Sequence, residues 1–252
     1  MVALALLAAG CSGKATLPAV RDGDIIFHTS RSAQSMAIQR ATGSKYSHLG
    51  MVVHRNGQPF VLEAISTVQF TPLERWIARG ADGHFVVKRL RNADAVLTPA
   101  ALKKLRSAAQ PFLGRRYDLT FDWSDQRIYC SELVWKAYER AFGLKIGALQ
   151  KVRDFNLSDP AVRTKMQERY GNDIPLDEPV ISPSAMFQSP LLVTVAERCR
   201  ASAQGAQIAP NCHHDFPARI RSWWAVRHAQ DRPVELGTAR DDKQVEMTGK
   251  SR

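Results

Sequence analysis

One cysteine of this chain lies where a nucleophile would be expected. Cys130 begins the segment "CSELVWKAYERAFG" (130–143), whose apolar spacing predicts an amphipathic helix that ends at Gly143. A thiol in the first turn of a helix feels the positive end of the helix dipole and unpaired backbone N–H groups, and both favour the thiolate. Because a lone free cysteine is also commonly an inert buried residue, a nucleophile requires a base beside it.

A β-hairpin earlier in the chain can supply that base. The segments "HLGMVVHR" (48–55) and "QPFVLEAI" (58–65) are apolar β-type runs, and Asn56-Gly57 between them is a strong signal for a two-residue turn. The alternation along both runs makes one face of the hairpin uniformly apolar, and this face is predicted to pack on the core.

The register of this hairpin brings a histidine and a carboxylate together. A two-residue turn puts His48 and Glu63 on the same face in a diagonal relation, and Gly50, opposite Glu63, is expected to leave space beside them. Glu63 would orient the imidazole, and His48 would take the Cys130 proton and return it to a leaving group. The residues therefore predict a Cys-His-Glu triad.

Other residues could take these roles. His28, His54 and His84 are alternative bases, but His54 lies at the turn end and the other two have no comparably placed carboxylate. Ser131 is an alternative nucleophile, which an adjacent thiolate would out-compete. The backbone N–H of Cys130 at the helix start is the expected donor to an oxyanion.

The rest of the chain around these residues predicts alternating strands and helices. Apolar periodicity and Thr-Pro starts carry most of these assignments. Residues 150–190 are turn-rich and predict ordered loop with an edge strand. The other predicted elements are a strand over 23–28, a helix within 29–42, a helix over 71–80 capped by Thr71 with Pro72 first, a strand over 84–90 and a helix over 98–114.

The first residues resemble a bacterial export signal. "MVALALLAAG" is a short apolar run, and "LAAGCSG" resembles a lipobox in which Cys11 becomes the lipidated first residue. Residues 1–19 are then a lipoprotein signal peptide and tether, and the expected location is the periplasm-facing cell envelope, anchored in a membrane, with the outer membrane as first choice. The alternative is an ordinary apolar tail that is not cleaved.

Composition limits the remaining possibilities. With 252 residues, 44% of them hydrophobic, the chain can bury one main domain with extensions. Its formal charge of +11 favours anionic lipid headgroups and wall polymers as neighbours. The sequence contains no recognised nucleic-acid module, so no nucleic-acid partner is expected.

Two further cysteines lie near the end of the chain. Cys199 and Cys212 are close enough in sequence to form a disulfide in an oxidising compartment. The alternative is a metal cluster that adds His213 and His214, but this spacing does not match a recognised zinc site. We expect no metal and no cofactor.

Long strings between residues 20 and 190 resemble a known family. "GDIIFHTSRSAQSMAIQRATGSKYSHLGMVV", "EAISTVQFTPLERWIARG", "YDLTFDWSDQRIYCSELVWKAYERAFG" and "RYGNDIPLDEPVISPSAMF" are similar to the YiiX/YebB-like family of circularly permuted NlpC-type papain-like cysteine hydrolases. The resemblance implies an α+β fold, a permuted papain-like core in which a small antiparallel sheet packs against the cysteine helix. Residues 20–190 are then expected to form this hydrolase domain, and residues 191–252, outside the resemblance, are expected to be a partly disordered C-terminal extension.

The resemblance also implies roles for individual residues. Cys130 is then the nucleophile, His48 the base and Glu63 the polar third member, and Tyr117 corresponds to a tyrosine that lines the site. Tyr129, Ser131 and Gly50 are expected to contact substrate. NlpC-type enzymes have Asp-Cys-Ser-Gly where this chain has Tyr-Cys-Ser-Glu, so their wall-peptide specificity does not carry over directly.

The expected activity is thiol-dependent hydrolysis of an amide or ester through an acyl-enzyme on Cys130. Peptidoglycan stem peptides or their fragments are the first candidate substrates for such an amidase or peptidase. A lipid or N-acyl compound, hydrolysed or used in acyl transfer, is the second. The alternative from another class is a non-catalytic envelope lipoprotein that binds a peptide or a lipid.

Overall fold

A six-stranded antiparallel sheet forms the centre of the described part of the chain, which is residues 19–198 of a computed structural model. Two further pairs of two-residue strands lie outside this sheet. The strands are Ile25–His28 (β1), His48–Arg55 (β2), Gln58–Ala64 (β3), Val68–Pro72 (β4), Phe85–Leu90 (β5), Arg116–Tyr117 (β6), Arg127–Ile128 (β7), Gln150–Lys151 (β8), Pro179–Val180 (β9) and Leu192–Arg198 (β10). The order in the main sheet is β10-β5-β1-β2-β3-β4.

Helices follow most of these strands. Ser32, Thr98, Asp159 and Ser182 each cap the helix that follows with a side-chain oxygen. None of the helices within residues 19–198 combines the length and hydropathy needed to cross a bilayer. The helices are Ala33–Thr42 (α1), Leu73–Arg79 (α2), Ala93–Val96 (α3), Pro99–Ala109 (α4), Cys130–Phe142 (α5), Pro160–Tyr170 (α6) and Pro183–Phe187 (α7).

The hairpin of β2 and β3 has the predicted turn and register. Asn56 and Gly57 both have positive φ, 51° and 74°, as a turn that matches the strand twist requires. Arg55 pairs with Gln58, and Met51 pairs with Leu62. The α+β class with an antiparallel sheet against the cysteine helix is confirmed.

Apolar side chains cover the main sheet on both faces. Leu49, Met51 and Leu62 join the larger core together with the buried face of α5. On the opposite face Val52 and Val61 pack against α2. The face of the hairpin that carries His48 and Glu63 is therefore packed as well, and its polar pair lies at one end of an apolar layer.

Two predicted boundaries were wrong, and one helix was not predicted. The helix expected over 71–80 begins at Leu73, because Thr71 and Pro72 end the edge strand β4, where a proline costs no ladder hydrogen bond. Residues 150–190 contain a full helix, α6, which was expected to be loop. The domain does not end at residue 190, since β10 pairs with β5 along the main sheet.

Several predictions lie outside the described residues. The signal peptide with Cys11, and the bridge between Cys199 and Cys212, fall in residues 1–18 and 199–252. They stay predictions. Cys130 is free and buried.

Candidate active site

Cys130 is the first residue of α5, as predicted. Tyr129 before it is extended, with φ −101° and ψ 171°, and the Glu132 carboxylate accepts the Tyr129 N–H at 3.4 Å in a capping-box arrangement. This geometry turns the chain sharply into the helix and leaves the Cys130 side chain at its amino end. The thiol is 2% exposed, so it lies within the protein instead of on the surface.

Three groups donate or share protons with the Cys130 sulfur. They are the His48 ring and the backbone N–H groups of Leu49 and Ser131. Burial alone raises the pKa of the Cys130 thiol, but the charge and hydrogen bond of His48, with the two backbone donors, lower it below its ordinary value. The thiolate is thus favoured by its partners and not by exposure to water.

The pKa of the His48 imidazole is raised, whereas that of the Cys130 thiol is lowered. Burial lowers the pKa of the imidazole, but the Cys130 thiolate and the Glu63 carboxylate raise it to about 9. The thiolate and the imidazolium therefore stabilise each other's charge. This is the charge state in which a thiol is both a nucleophile and beside a proton donor.

Glu63 fixes the far side of the imidazole. Its Oε2 lies 2.7 Å from His48 Nε2, which leaves Nδ1 for Cys130. Thr71 Oγ1 donates to Glu63 Oε1 at 2.5 Å, and Arg79 Nη2 donates to Oε2 at 2.6 Å. Burial raises the pKa of this fully enclosed carboxyl. The hydrogen bond and charge of His48, together with the hydrogen bonds of Arg79 and Thr71, outweigh burial and lower the pKa to about 2. Glu63 is therefore ionised.

The three alternative bases have other partners. His28 stacks on Trp76 at 3.9 Å, and burial, followed by nearby positive charge, lowers its pKa to about 2. His54 Nδ1 lies 2.7 Å from an Asp22 oxygen at the turn end of β2. His84 Nδ1 donates to the Arg198 carbonyl at 2.7 Å. The structure thus favours His48 over all three.

Tyr117 lies beside the cysteine helix. The parallel pairing of β6 with β7 sets Tyr117 opposite Ile128, two residues before Cys130. Burial and the negative charge of Cys130 raise the pKa of Tyr117, so its hydroxyl keeps its proton. Gln34 Nε2 donates to that hydroxyl oxygen at 2.8 Å, a contact from α1 that the sequence did not indicate.

A cavity adjoins the sulfur, and we call it the Cys130 cavity. It encloses about 620 Å³ of space, part of which is open to solvent. Helices α1 and α6 form two of its walls, and most of its lining is aliphatic or aromatic. The residues that line it are Ile38, Ala41, Thr42, Tyr117, Phe121, Tyr129, Cys130, Ser131, Val152, Phe155, Leu157, Val162, Met166, Tyr170, Val180, Ile181, Ser182 and Pro183.

The polar groups of Tyr129 and Ser131 are already engaged. The Tyr129 hydroxyl accepts the Ile181 N–H at 3.0 Å, and Ser131 Oγ donates to the Ile181 carbonyl at 2.8 Å. Both residues line the Cys130 cavity, and their contact with a substrate stays a prediction. Because its proton is held by a carbonyl, the Ser131 hydroxyl is not poised as the alternative nucleophile.

Gly50 does not have the predicted role. A side-chain carbon at this position would lie 2.4 Å from Val61 Cγ1 and 2.8 Å from the Leu62 carbonyl oxygen. The expected space beside Glu63 is therefore filled by β3. Gly50 allows close packing of the hairpin and is not among the residues that line the Cys130 cavity.

Comparison with known proteins gives consistent results. The model of a family described as permuted papain-like amidase enzyme, YaeF/YiiX, C92 family, matches residues 19–196. The uncharacterized protein YiiX of Escherichia coli strain K12 is 51% identical over 175 residues, which are 69% of this chain and 85% of that protein. A crystal structure described as that of the metalloprotein yiiX from Escherichia coli O157:H7, DUF1105, has a TM-score of 0.67 and 51% identity. It covers 70% of this chain and 97% of its own.

Proposed function

Because this chain belongs to the permuted papain-like amidases of the YaeF/YiiX, C92 family, we propose that it hydrolyses an acyl bond through a thioester on Cys130. His48 serves as base and acid in this proposal, and Glu63 orients it. The observation that carries the proposal is the hydrogen-bonded chain from the Cys130 sulfur through the His48 ring to Glu63 Oε2. Three groups hydrogen-bonded in this order suit the roles of a nucleophile, a base and an orienting group.

Acylation begins with attack by the Cys130 thiolate on the substrate carbonyl carbon. The carbonyl π electrons move to oxygen, and the resulting oxyanion is met by the Cys130 backbone N–H at the start of α5 and by the Tyr117 hydroxyl. Collapse of the intermediate breaks the bond to the leaving group, which takes its proton from the His48 imidazolium. The products of this half are a neutral amine or alcohol and a thioester.

Deacylation uses the same groups in reverse. A water molecule attacks the thioester carbonyl while neutral His48 accepts its proton. The second tetrahedral intermediate expels the Cys130 thiolate and releases a carboxylic acid. The thiolate and the imidazolium are then restored, and one water has been consumed.

The Cys130 cavity supports an apolar acyl group as substrate. Its lining is mainly aliphatic and aromatic, the Tyr129 hydroxyl accepts the Ile181 N–H, and the Ser131 hydroxyl donates to the Ile181 carbonyl. A wall peptide would leave its amide groups without hydrogen-bond partners in such a cavity, which costs free energy. Of the two candidate substrates, a lipid or N-acyl compound therefore fits better. A lipid anchor at Cys11 would hold the enzyme beside such substrates in the envelope.

Acyl-chain length provides the direct test. If the chain enters the Cys130 cavity, kcat/KM should rise about fourfold for each added methylene until the cavity is full, since burying one methylene gains about 0.8 kcal/mol. A series of acyl amides or esters from acetyl to palmitoyl measures this. Ala41→Trp, which fills the cavity from α1, should lower the rate on long chains and spare acetyl substrates. A flat profile, with faster cleavage of wall peptides, would contradict the substrate class.

Glu63→Gln should lower turnover by about 10- to 100-fold, less than loss of the nucleophile. The amide can still accept a hydrogen bond from His48, but it carries no charge to stabilise the imidazolium. The pKa of His48 should therefore fall below about 9, and the alkaline limb of the pH profile should move to lower pH. Glu74→Gln removes an exposed carboxylate from α2 and is the matched control. Equal effects of both variants would count against an orienting role.

Thiol labelling separates catalysis from mere binding. An activated Cys130 should react with iodoacetamide well below the ordinary thiol pKa, whereas an inert Cys130 would support the non-catalytic lipoprotein. Incubation with envelope extract followed by mass spectrometry should then detect an acyl group on Cys130. The mass of that adduct identifies the substrate class.

The relative from Escherichia coli O157:H7 is described as a metalloprotein. Across residues 19–198, no three His, Cys, Asp or Glu side chains are grouped so that they could hold a metal ion. His48 Nε2 is committed to Glu63. The side chains of the described residues 19–198 do not fit a metal centre, and each step above is assigned to side chains and backbone groups of this chain.

A further inference from the structure

Two positively charged groups share one oxygen of Glu63. His48 Nε2 lies 2.7 Å from Oε2, and Arg79 Nη2 lies 2.6 Å from the same atom. The carboxylate side chain is fully buried, while the Arg79 side chain is 40% exposed. The guanidinium therefore connects the buried carboxylate to solvent and competes with the imidazole for it.

We propose that Arg79 is a positioning residue that limits how strongly Glu63 holds the proton on His48. The proposal rests on the acid and base roles proposed for His48. Arg79 is not assigned to contact substrate. Its action passes through Glu63.

The need for such a limit follows from the reaction. His48 must hold a proton beside the thiolate and then release it to the leaving group, so its basicity has to lie near the working pH. A buried carboxylate without a second cation beside it would stabilise the imidazolium with its full negative charge and so make release of the proton harder. By sharing Oε2, Arg79 offsets part of this charge and still leaves Glu63 ionised to orient the ring.

The position of Arg79 on α2 supports a fixed role. Trp76, one turn earlier on the same helix, stacks on His28, which lies 5.3 Å from the His48 ring. The two residues are three apart and so share one face of the helix. Helix α2 thus places an aromatic ring and a cation close to the His48 imidazole.

The other groups that face His48 and Glu63 cannot replace Arg79. His28 on β1 stays neutral, because burial lowers its pKa to about 2. Thr71 on β4 is an uncharged donor, and Cys130 on α5 contributes negative charge. Tyr117, beside Cys130, keeps its proton because burial raises its pKa. Arg79 is the group in this set that carries a permanent positive charge.

The direct test is the His48 titration, followed by NMR of the imidazole ring. Recording it in Cys130→Ala protein removes the thiolate, so that only Glu63 and its partners act on the ring. Arg79→Gln should raise the pKa of His48 by about 0.5 to 1 pH unit, a range that allows for screening of the part-exposed guanidinium. Arg75→Gln, which removes an exposed arginine of the same helix, should not change it. An unchanged or lower pKa of His48 in Arg79→Gln would overturn the proposal.

A kinetic test uses the protein with Cys130 present. In Arg79→Gln the alkaline limb of kcat/KM should move to higher pH by a similar amount, and the plateau should fall several-fold. Arg79→Lys should return the alkaline limb to its original pH, since it restores the positive charge. If Arg79 had only a structural role, Arg79→Gln would change the thermal stability and leave the alkaline limb where it was. Absence of turnover in the unmutated protein would refute the proposed hydrolase, but the NMR titration would still decide the role of Arg79.

Discussion

Cys130→Ala should lower hydrolysis by more than about 1000-fold, because the thioester route is lost entirely. The backbone N–H groups around the sulfur remain, but they have no nucleophile to act on. The measurement is kcat/KM on the best acyl substrate of the chain-length series. Mass spectrometry of the same variant should find no acyl adduct.

Two controls show that the loss is chemical. Cys130→Ser keeps the shape of this 2%-exposed site but replaces the thiolate with a poorly ionised hydroxyl, so it should be nearly as inactive. Both variants should bind a non-hydrolysable acyl amide with the affinity of the unmutated protein and unfold at a similar temperature. Hydrolysis that persists in Cys130→Ala would refute the thioester mechanism.

The local parts of the site could be read from the sequence. Asn56-Gly57 fixes a two-residue turn because both residues accept positive φ, and the turn sets which residues face each other. The shared face of His48 and Glu63 follows from that register. Cys130 at the start of α5 follows from apolar spacing in the same way. In each case the contact depends on residues close in sequence.

The rest of the site depends on contacts that no local pattern encodes. Thr71 was expected to cap a helix, but the strand β4 continues through it and its hydroxyl is used by Glu63. A threonine before a proline suits a helix cap and a strand end equally well. Arg79 reads as an ordinary charged residue near a helix end, and its partner Glu63 is known only once α2 has packed against the sheet.

The Cys130 cavity was unpredictable for a related reason. Helix α6 buries only Val162 and Met166, so it has little of the apolar periodicity by which helices are recognised. Its cavity wall is completed by α1, more than a hundred residues earlier in the chain. The sequence indicated a nucleophile but left the substrate open. The packing of these two helices is what favours an apolar acyl group.

His48→Ala should remove turnover by about 1000-fold and also deactivate the thiol, which distinguishes it from loss of a substrate contact. In the unmutated protein the imidazolium lowers the pKa of Cys130 against the effect of burial. Without His48, burial prevails and the pKa of the thiol rises. The rate of iodoacetamide labelling at pH 7 should therefore fall at least about tenfold and recover only at high pH.

His54→Ala is the matched control, because it removes an imidazole from the same strand. The His54 imidazole pairs with Asp22 at the turn end, away from Cys130. It should leave both the labelling profile and turnover unchanged. A His48→Ala protein that still labels rapidly at neutral pH would show that helix α5 and the Leu49 and Ser131 N–H groups suffice to form the thiolate. The imidazole would then serve only the later proton transfer, since a group that does not set the charge of the sulfur can still donate to the leaving group.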